Sequence, residues 1–428
     1  MWWEEPGHLD VEQNKLYFAG HAVDELVDRH GTPTYFYNLT KSQDKLTHFK
    51  DALETSNLDG FAIKYAVKAN NNTELLERFE TQNIGIDATS PNELHLAQDC
   101  GFSDSEIVFT GTSLSNQDLD AFAQTDVLIN FDSVSSLRRF NGDPGRPVGL
   151  RINSGVGLGR HAKTTTGGEA AEDESPTGSD SDTTNQKGIP VKFGIPHDDS
   201  QLFSAAFDTI EKRGYELSCI HHHVGSGWLG DQALKAERNY LTALEHTLKV
   251  VDKAQQRGHE ISILDLGGGF GVPHSHEEDP LPLVEFFDAI SDLISDRGLE
   301  FSEIFVEPGT YLVSEAGIFV TKVTTVETKH GYTFVGVDAG LNSFNSFANY
   351  EYYHEIVNCN SVKGDGDGMV VTVAGNNCES GDLFAIERPI ETTIQEGDYL
   401  ALLNAGAYGA VFKHNFNLRE PASEIVVS

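Results

Sequence analysis

Phe61-Ala62-Ile63-Lys64-Tyr65-Ala66-Val67-Lys68-Ala69-Asn70 reads as an apolar strand that ends at a lysine. Two later stretches have the same plan. Ile261 to Leu266 stops at Gly267-Gly268-Gly269, and Ile304-Phe305-Val306 stops at Glu307-Pro308-Gly309. Working outward from these, β-like runs fall at 61–67, 84–88, 107–110, 127–131, 147–152, 217–224, 261–266 and 303–307. Most gaps between them can hold one helix. Asn72 to Gln82 is an example, with Leu75, Leu76 and Phe79 at helical spacing. Such alternation over about 250 residues is the size of one (β/α)8 barrel, a TIM-like α/β architecture. Barrels of this kind carry their chemistry at the C-terminal ends of the strands, often with phosphate at loops seven and eight. The lysine, the glycine turn and the acid fall after strands one, seven and eight.

After Gly309 the pattern changes. Ile318 to Val326, Tyr332 to Val337, Met369 to Val373 and Tyr399 to Leu403 are β-rich and separated by few helix signals. They predict a C-terminal β-sandwich or β-barrel domain. The expected division is an N-terminal segment over 1–34 that pairs with the β domain, a barrel over 35–312 and a β domain over 313–428. Pro33-Thr34-Tyr35-Phe36-Tyr37 is strand-like and could pair into either part. Residues 161–188 carry few apolar side chains among Thr, Gly, Ser and acids. Nothing there offsets the entropy of ordering, so the segment reads as a disordered acidic insertion after strand five, either a lid or an inert loop.

The 428 residues carry 66 Asp and Glu against 30 Lys and Arg, a formal net charge of -36. The excess is spread along the chain. An even acidic coat suits a cytoplasmic protein of an extreme halophile, because concentrated salt screens its repulsion within a few ångströms. No basic patch offers itself to nucleic acid. In such a chain a given Asp or Glu is by default surface. Cys100, Cys219, Cys359 and Cys378 have no CxxC spacing, so neither a disulfide framework nor a zinc site is expected. The N-terminus lacks the basic and apolar regions of a signal peptide, and no apolar run is long enough to span a bilayer.

A lysine, a phosphate cradle and a carboxylate in one barrel mouth suggest pyridoxal phosphate. That cofactor needs a lysine for a Schiff base, an anion anchor and a group that sets the protonation of its ring nitrogen. Lys68 ends an apolar strand near Tyr65, where burial would favour the free amine. Gly267-Gly268-Gly269-Phe270-Gly271 lets backbone N–H groups approach an anion, and its spacing is not that of a dinucleotide fingerprint. Glu307 could hold a pyridine nitrogen protonated, which favours decarboxylation. In His221-His222-His223-Val224-Gly225-Ser226-Gly227 only His221 and His223 share a strand face. With no third ligand in view, a metal site is not expected, and a His223 that stacks on a planar ring fits better.

These residues carry a family resemblance. Tyr65-Ala66-Val67-Lys68-Ala69-Asn70, His221 to Gly227, Leu264 to Gly271 and Glu307-Pro308-Gly309 resemble the fold-type III pyridoxal phosphate-dependent decarboxylases. Val337-Asp338-Ala339-Gly340, Tyr353-His354-Glu355-Ile356, Cys378-Glu379-Ser380-Gly381-Asp382 and Gly406-Ala407-Tyr408-Gly409 resemble the diaminopimelate decarboxylases in particular. The resemblance spans about residues 33–428, apart from the insertion. It implies that Lys68 carries pyridoxal 5'-phosphate and His223 stacks on its ring. It gives the phosphate to Ser226, Gly267, Gly268, Gly269, Gly309 and Tyr408, and the ring nitrogen to Glu307. Tyr350, Glu379 and Tyr408 would meet an amino-acid substrate. Cys378, with Glu379, would reach into the site of a partner subunit and donate a proton, which implies a homodimer with shared active sites.

Two positions depart from the family pattern. Thr310 follows Glu307-Pro308-Gly309 where an arginine is usual, and Ser346-Phe347 stands where Arg-Pro is usual. Both arginines help hold a distal carboxylate in the family, and neither Thr nor Ser supplies that charge. Arg151 and Arg160, after strand five, are the nearest cations by position. The expected activity is α-decarboxylation of an amino acid, of which meso-2,6-diaminopimelate to L-lysine and carbon dioxide is the family example. The alternatives are another diamino acid, a carrier-bound amino acid, or a non-catalytic regulatory homologue.

Overall fold

The computed structural model describes residues 1–164, 191–235, 239–364 and 368–427. Of the expected insertion, 165–188 lies outside these residues. Its first part is described, and Ala162–Thr164 forms a single 3-10 turn.

The chain divides into two compact units. One comprises His48–Val272 and Asp279–Gly309. Its eight parallel strands are Phe61–Ala66, Gly85–Ala88, Ile107–Phe109, Leu128–Phe131, Pro147–Asn153, Glu216–His222, Ile263–Gly268 and Glu303–Glu307. Each pairs with the next, and the eighth returns to the first through Ile304↔Phe61 and Val306↔Ile63, so the barrel is closed. A short extra strand, Ile195–Pro196, pairs beside the fifth. The expected helix after strand one runs over Thr73–Glu80. Asn72 caps it by accepting from the Glu74 and Leu75 amides, and its Leu75, Leu76 and Phe79 stripe is buried.

The other unit comprises Met1–Thr47, Pro273–Glu278 and Thr310–Ser428. Its main sheet contains Gly317–Lys329, Tyr332–Val337, Ile356–Asn358, Met369–Ala374, Leu383–Ile390 and Tyr399–Leu402. Thr34–Asn38 joins it, antiparallel to Gly317–Lys329 and parallel to Ser423–Val427. These two pairings decide where Pro33 to Tyr37 belongs. In sequence the two units divide at 47/48 and 309/310, and Pro273–Glu278 falls with the second. A separate three-stranded sheet, Leu9–Glu12, Lys15–Phe18 and His21–Ala22, precedes them.

Candidate functional site

Strand register sets the barrel mouth. In parallel strands, paired residues point to the same side. His221 pairs with Arg151 on one side and with Asp265 on the other, so strands five, six and seven place an arginine, a histidine and an aspartate in one buried row. Gly268 pairs with Glu307, and Ala66 with Asp87. The His221 Nε2 atom lies 3.6 Å from Glu307 Oε2, and the Asp265 carboxyl lies close to both. His222 points the other way and is a core residue. Its ring meets Thr247 Oγ1 at 2.7 Å and the Tyr240 hydroxyl at 2.9 Å.

Lys68 sits in a 3-10 turn, Val67–Ala69, directly after strand one. It is ion-paired with Asp87, which is buried. The Lys68 side chain keeps 33% of its surface and faces the Asp87 carboxyl. Burial first, and Glu307 second, raise the Asp87 carboxyl to about 6. Sequence reasoning missed Asp87. Its one signal was a lone acid in the apolar run Ile84-Gly85-Ile86-Asp87-Ala88.

Arg151 is also in the mouth, buried, with its guanidinium 4.7 Å from the centre of the Phe193 ring. Arg160 is not part of this row and donates to the Val272 carbonyl at 3.1 Å. Burial and the Arg151 charge push the His221 imidazolium well down, so His221 is neutral.

The glycine turn is used differently from the sequence expectation. The Gly267 amide donates to Asp265 Oδ1 at 3.0 Å, and the Gly268 amide donates to His223 Nδ1 at 3.1 Å. Two of the three expected phosphate donors are thus taken by side chains of the site. The second bond fixes His223, and an accepting Nδ1 leaves the ring proton on Nε2. Glycine is required here for packing. A Cβ at Gly268 would lie 1.9 Å from the Glu307 carbonyl oxygen, and one at Gly269 the same distance from that of Gly225. The amides of Gly269 and Gly309 have no partner among the described residues, and neither does the Ser226 hydroxyl. Ser226 is fixed through its backbone, which accepts from the Arg160 amide and donates to the Thr164 carbonyl, each at 3.0 Å.

Glu307 Oε1 and both ring nitrogens of His221 are buried without a hydrogen-bond partner. A buried, unpartnered carboxylate oxygen is costly unless something fills its place. Together the mouth presents an amine, unpaired donors at Gly269, Gly309 and Ser226, and an unpaired acceptor at Glu307. That set fits a phosphorylated pyridine aldehyde. His221, Asp265 and Glu307 also lie within 4.8 Å of one another, a spacing a small cation could bridge. The sequence reading missed this because it sought a third ligand beside His221 and His223, whereas the groups near His221 come from strands seven and eight.

The remaining expected residues belong to the β unit. Asp382 accepts from the Leu341 and Asn377 amides, both at 2.6 Å, and so ties the Asp338-Ala339-Gly340 loop to the Cys378-Glu379 loop. Cys378 is exposed, its amide donating to Asn417 Oδ1 at 2.7 Å, and Glu379 is exposed beside it. Tyr350 and Tyr408 are half-buried and meet through Phe412, whose ring centre is 6.2 Å from each. Ser346 is buried and 2.8 Å from His354 Nε2. The other nitrogen of that ring, Nδ1, meets the Leu403 carbonyl at 2.8 Å and must donate, so Ser346 donates to His354.

No helix among the described residues is long and apolar enough to cross a membrane. Two family models match. The pyridoxal-binding domain of the pyridoxal-dependent decarboxylases covers residues 41–314, and their C-terminal sheet domain covers 247–406. Diaminopimelate decarboxylase of Methanothermobacter thermautotrophicus is 32% identical over 98% of this chain and 92% of its own length. That of Aquifex aeolicus is 28% identical over 98% of this chain and 92% of its own. A crystal structure from Aquifex aeolicus superposes with a TM-score of 0.81 at 26% identity, covering 99% of this chain and 93% of that one. A barrel mouth built for pyridoxal phosphate and two family models that together span most of the sequence agree: the chain belongs to the pyridoxal-dependent decarboxylases.

Proposed function

We propose that this protein decarboxylates meso-2,6-diaminopimelate at its α-carbon to give L-lysine and carbon dioxide, a lysine-forming step of amino-acid metabolism. The unpartnered Glu307 oxygen, at the end of a barrel strand as Lys68 is, carries the reading. Bound there, pyridoxal 5'-phosphate supplies an electron-accepting ring that no side chain offers. Lys68 would hold the cofactor covalently, with Asp87 as its ion-pair partner. Glu307 would accept from the ring nitrogen, and a carboxylate there favours the protonated ring that decarboxylation requires. His223, fixed by the Gly268 amide, is the group to stack on the ring. Gly269, Gly309 and Ser226 would donate to the phosphate. Gly267 and Gly268 act indirectly, by orienting Asp265 and His223.

In this reading Cys378 is the proton donor, and Tyr350 and Glu379 meet the substrate across a homodimer. Cys378 is exposed next to the 412–418 segment, where Leu418 is 88% exposed and Phe412 and Phe416 are exposed too. Contiguous exposed apolar groups of this kind suit a subunit interface. Mixing inactive Lys68→Ala and Cys378→Ala proteins should restore activity if each site uses both chains. Failure to complement removes the shared site. The -36 charge supports a cytoplasmic setting in concentrated salt.

The deciding experiment is carbon dioxide release, with kcat/KM compared across diaminopimelate, lysine, ornithine, diaminobutyrate and glutamate derivatives. Preference for diaminopimelate is expected. Preference for a substrate without a distal carboxylate would instead assign the Thr310 and Ser346 replacements to substrate choice, and a gain on diaminopimelate from Thr310→Arg would confirm that alternative. No release from any substrate would leave a non-catalytic homologue.

A further inference from the structure

We propose that Tyr240 is a positioning residue whose hydroxyl holds the glycine turn after strand seven and the histidines that close strand six at a fixed separation, so that one cofactor meets the phosphate donors and the stacking ring together. The inference rests on the cofactor reading above. It adds to that reading a buried group at the start of the helix Tyr240–Gln256.

Strand pairing fixes most of the barrel but stops short of the turn. Strand six pairs with strand seven only as far as His221↔Asp265, and the register with strand eight breaks between Asp265 and Gly268. Leu266 lies in that break and is the last residue before Gly267-Gly268-Gly269. Gly267 and Gly269 have φ of 64° and 102°. Glycine loses more conformational freedom on ordering than any other residue, so such a turn must be held from outside. On its far side the Gly269 carbonyl accepts from the Gly227 and Trp228 amides. On its near side the Leu266 carbonyl accepts from the Tyr240 hydroxyl at 2.7 Å.

That bond uses the only proton of the hydroxyl. At its second contact the Tyr240 oxygen therefore accepts, from His222 Nε2 at 2.9 Å. His222 Nδ1 meets Thr247 Oγ1 at 2.7 Å, so the ring is fixed at both nitrogens. The next residue is His223, whose Nδ1 accepts from the Gly268 amide at 3.1 Å. The path closes on itself, from Tyr240 to His222, along the chain to His223, across to Gly268 and back through Leu266 to Tyr240. Tyr240, His222, Thr247 and Leu266 are all buried, where an unmade hydrogen bond costs more than a made one contributes. The Tyr240 ring is held separately by packing, with ring centres 4.9 Å from Phe286 and 5.5 Å from Trp228. A phenylalanine would keep those contacts.

The test compares the affinity of the cofactor-stripped protein for pyridoxal 5'-phosphate and for pyridoxal, which lacks the phosphate, in wild type and in Tyr240→Phe. Affinity for the phosphorylated ligand should fall at least about tenfold, and that for pyridoxal should change less than about twofold, because only the first must reach the turn and His223 at once. Should Tyr240→Phe fail to fold, Thr247→Val, which frees the far nitrogen of His222, is read the same way with an expected fall of about threefold. A general loosening of the barrel would weaken both ligands equally, and that result overturns the proposal, as does an unchanged ratio of the two affinities. Either result beside normal capture by wild type sinks the positioning role alone. Capture of neither ligand by wild type sinks the cofactor reading, and the inference with it.

Discussion

In the barrel mouth, Asp87, His221, Asp265 and Glu307 are buried on strands or at their ends, and only Lys68 reaches outward. In the β unit, Cys378 and Glu379 are exposed and Tyr350 and Tyr408 half-exposed, and the loops that carry Cys378 and Glu379 are tied down through Asp382. The first group is assembled by register within one unit. The second lies on a surface. Covalent cofactor capture should therefore depend chiefly on the barrel residues, while turnover should depend on both groups.

The largest expected effect separates the two regions outright. Lys68→Ala should lose the visible, borohydride-reducible cofactor linkage entirely and cost on the order of a thousandfold or more in rate. Cys378→Ala should keep the linkage while losing turnover. A reducible linkage that survives in Lys68→Ala would break the comparison at its root. Next is Glu307→Gln, which should retain cofactor but lose at least about a hundredfold in kcat. Near-normal turnover would mean that the buried acid does not act on the ring.

A smaller effect concerns Asp87 without cofactor. Burial raises its carboxyl to about 6 from the ordinary 3.8, so between those values the native state holds the proton more tightly than the unfolded state. Stability from this group is then highest below about 4 and falls as pH rises through 6. The shift is about 2 units, which at 1.36 kcal/mol per unit gives at most roughly 3 kcal/mol. The difference between wild type and Asp87→Asn, followed by denaturant unfolding against pH, should trace that fall. A flat difference would mean that the Lys68 charge fully offsets the burial of Asp87. The smallest effect is on salt. Dilution from molar salt should lower Tm by a few degrees or more through unscreened surface repulsion. Capture of cofactor by the buried mouth should change less. Equal sensitivity of the two readouts would erase the distinction between buried and surface charge.

The barrel was legible because its strands are apolar runs that end at residues of unusual chemistry, so Lys68, Glu307 and the glycine turn could be read directly. The charged row was not. In a chain with 66 acids, Asp87 and Asp265 look like surface until register shows which way they point. Arg151 could be named but not aimed, for the same reason. The pairing of Pro33 to Tyr37 stayed open in the sequence because Thr34–Asn38 pairs with strands almost three hundred and almost four hundred residues away, a long-range choice that local pattern does not record. Ser346 read as a lost cation, whereas its hydroxyl is spent on His354 inside the core.

The contact between the sixth and seventh barrel loops has a mechanical consequence. The Gly227 and Trp228 amides both donate to the Gly269 carbonyl, at 2.9 and 3.2 Å, and the Gly271 amide donates back to Trp228 at 2.9 Å. With no room for even a methyl group between Gly269 and Gly225, the two loops are geared together and cannot open independently. Hydrogen exchange at Gly227, Trp228 and Gly271 should then follow a single opening event, with one shared protection factor that rises together when an anion is added.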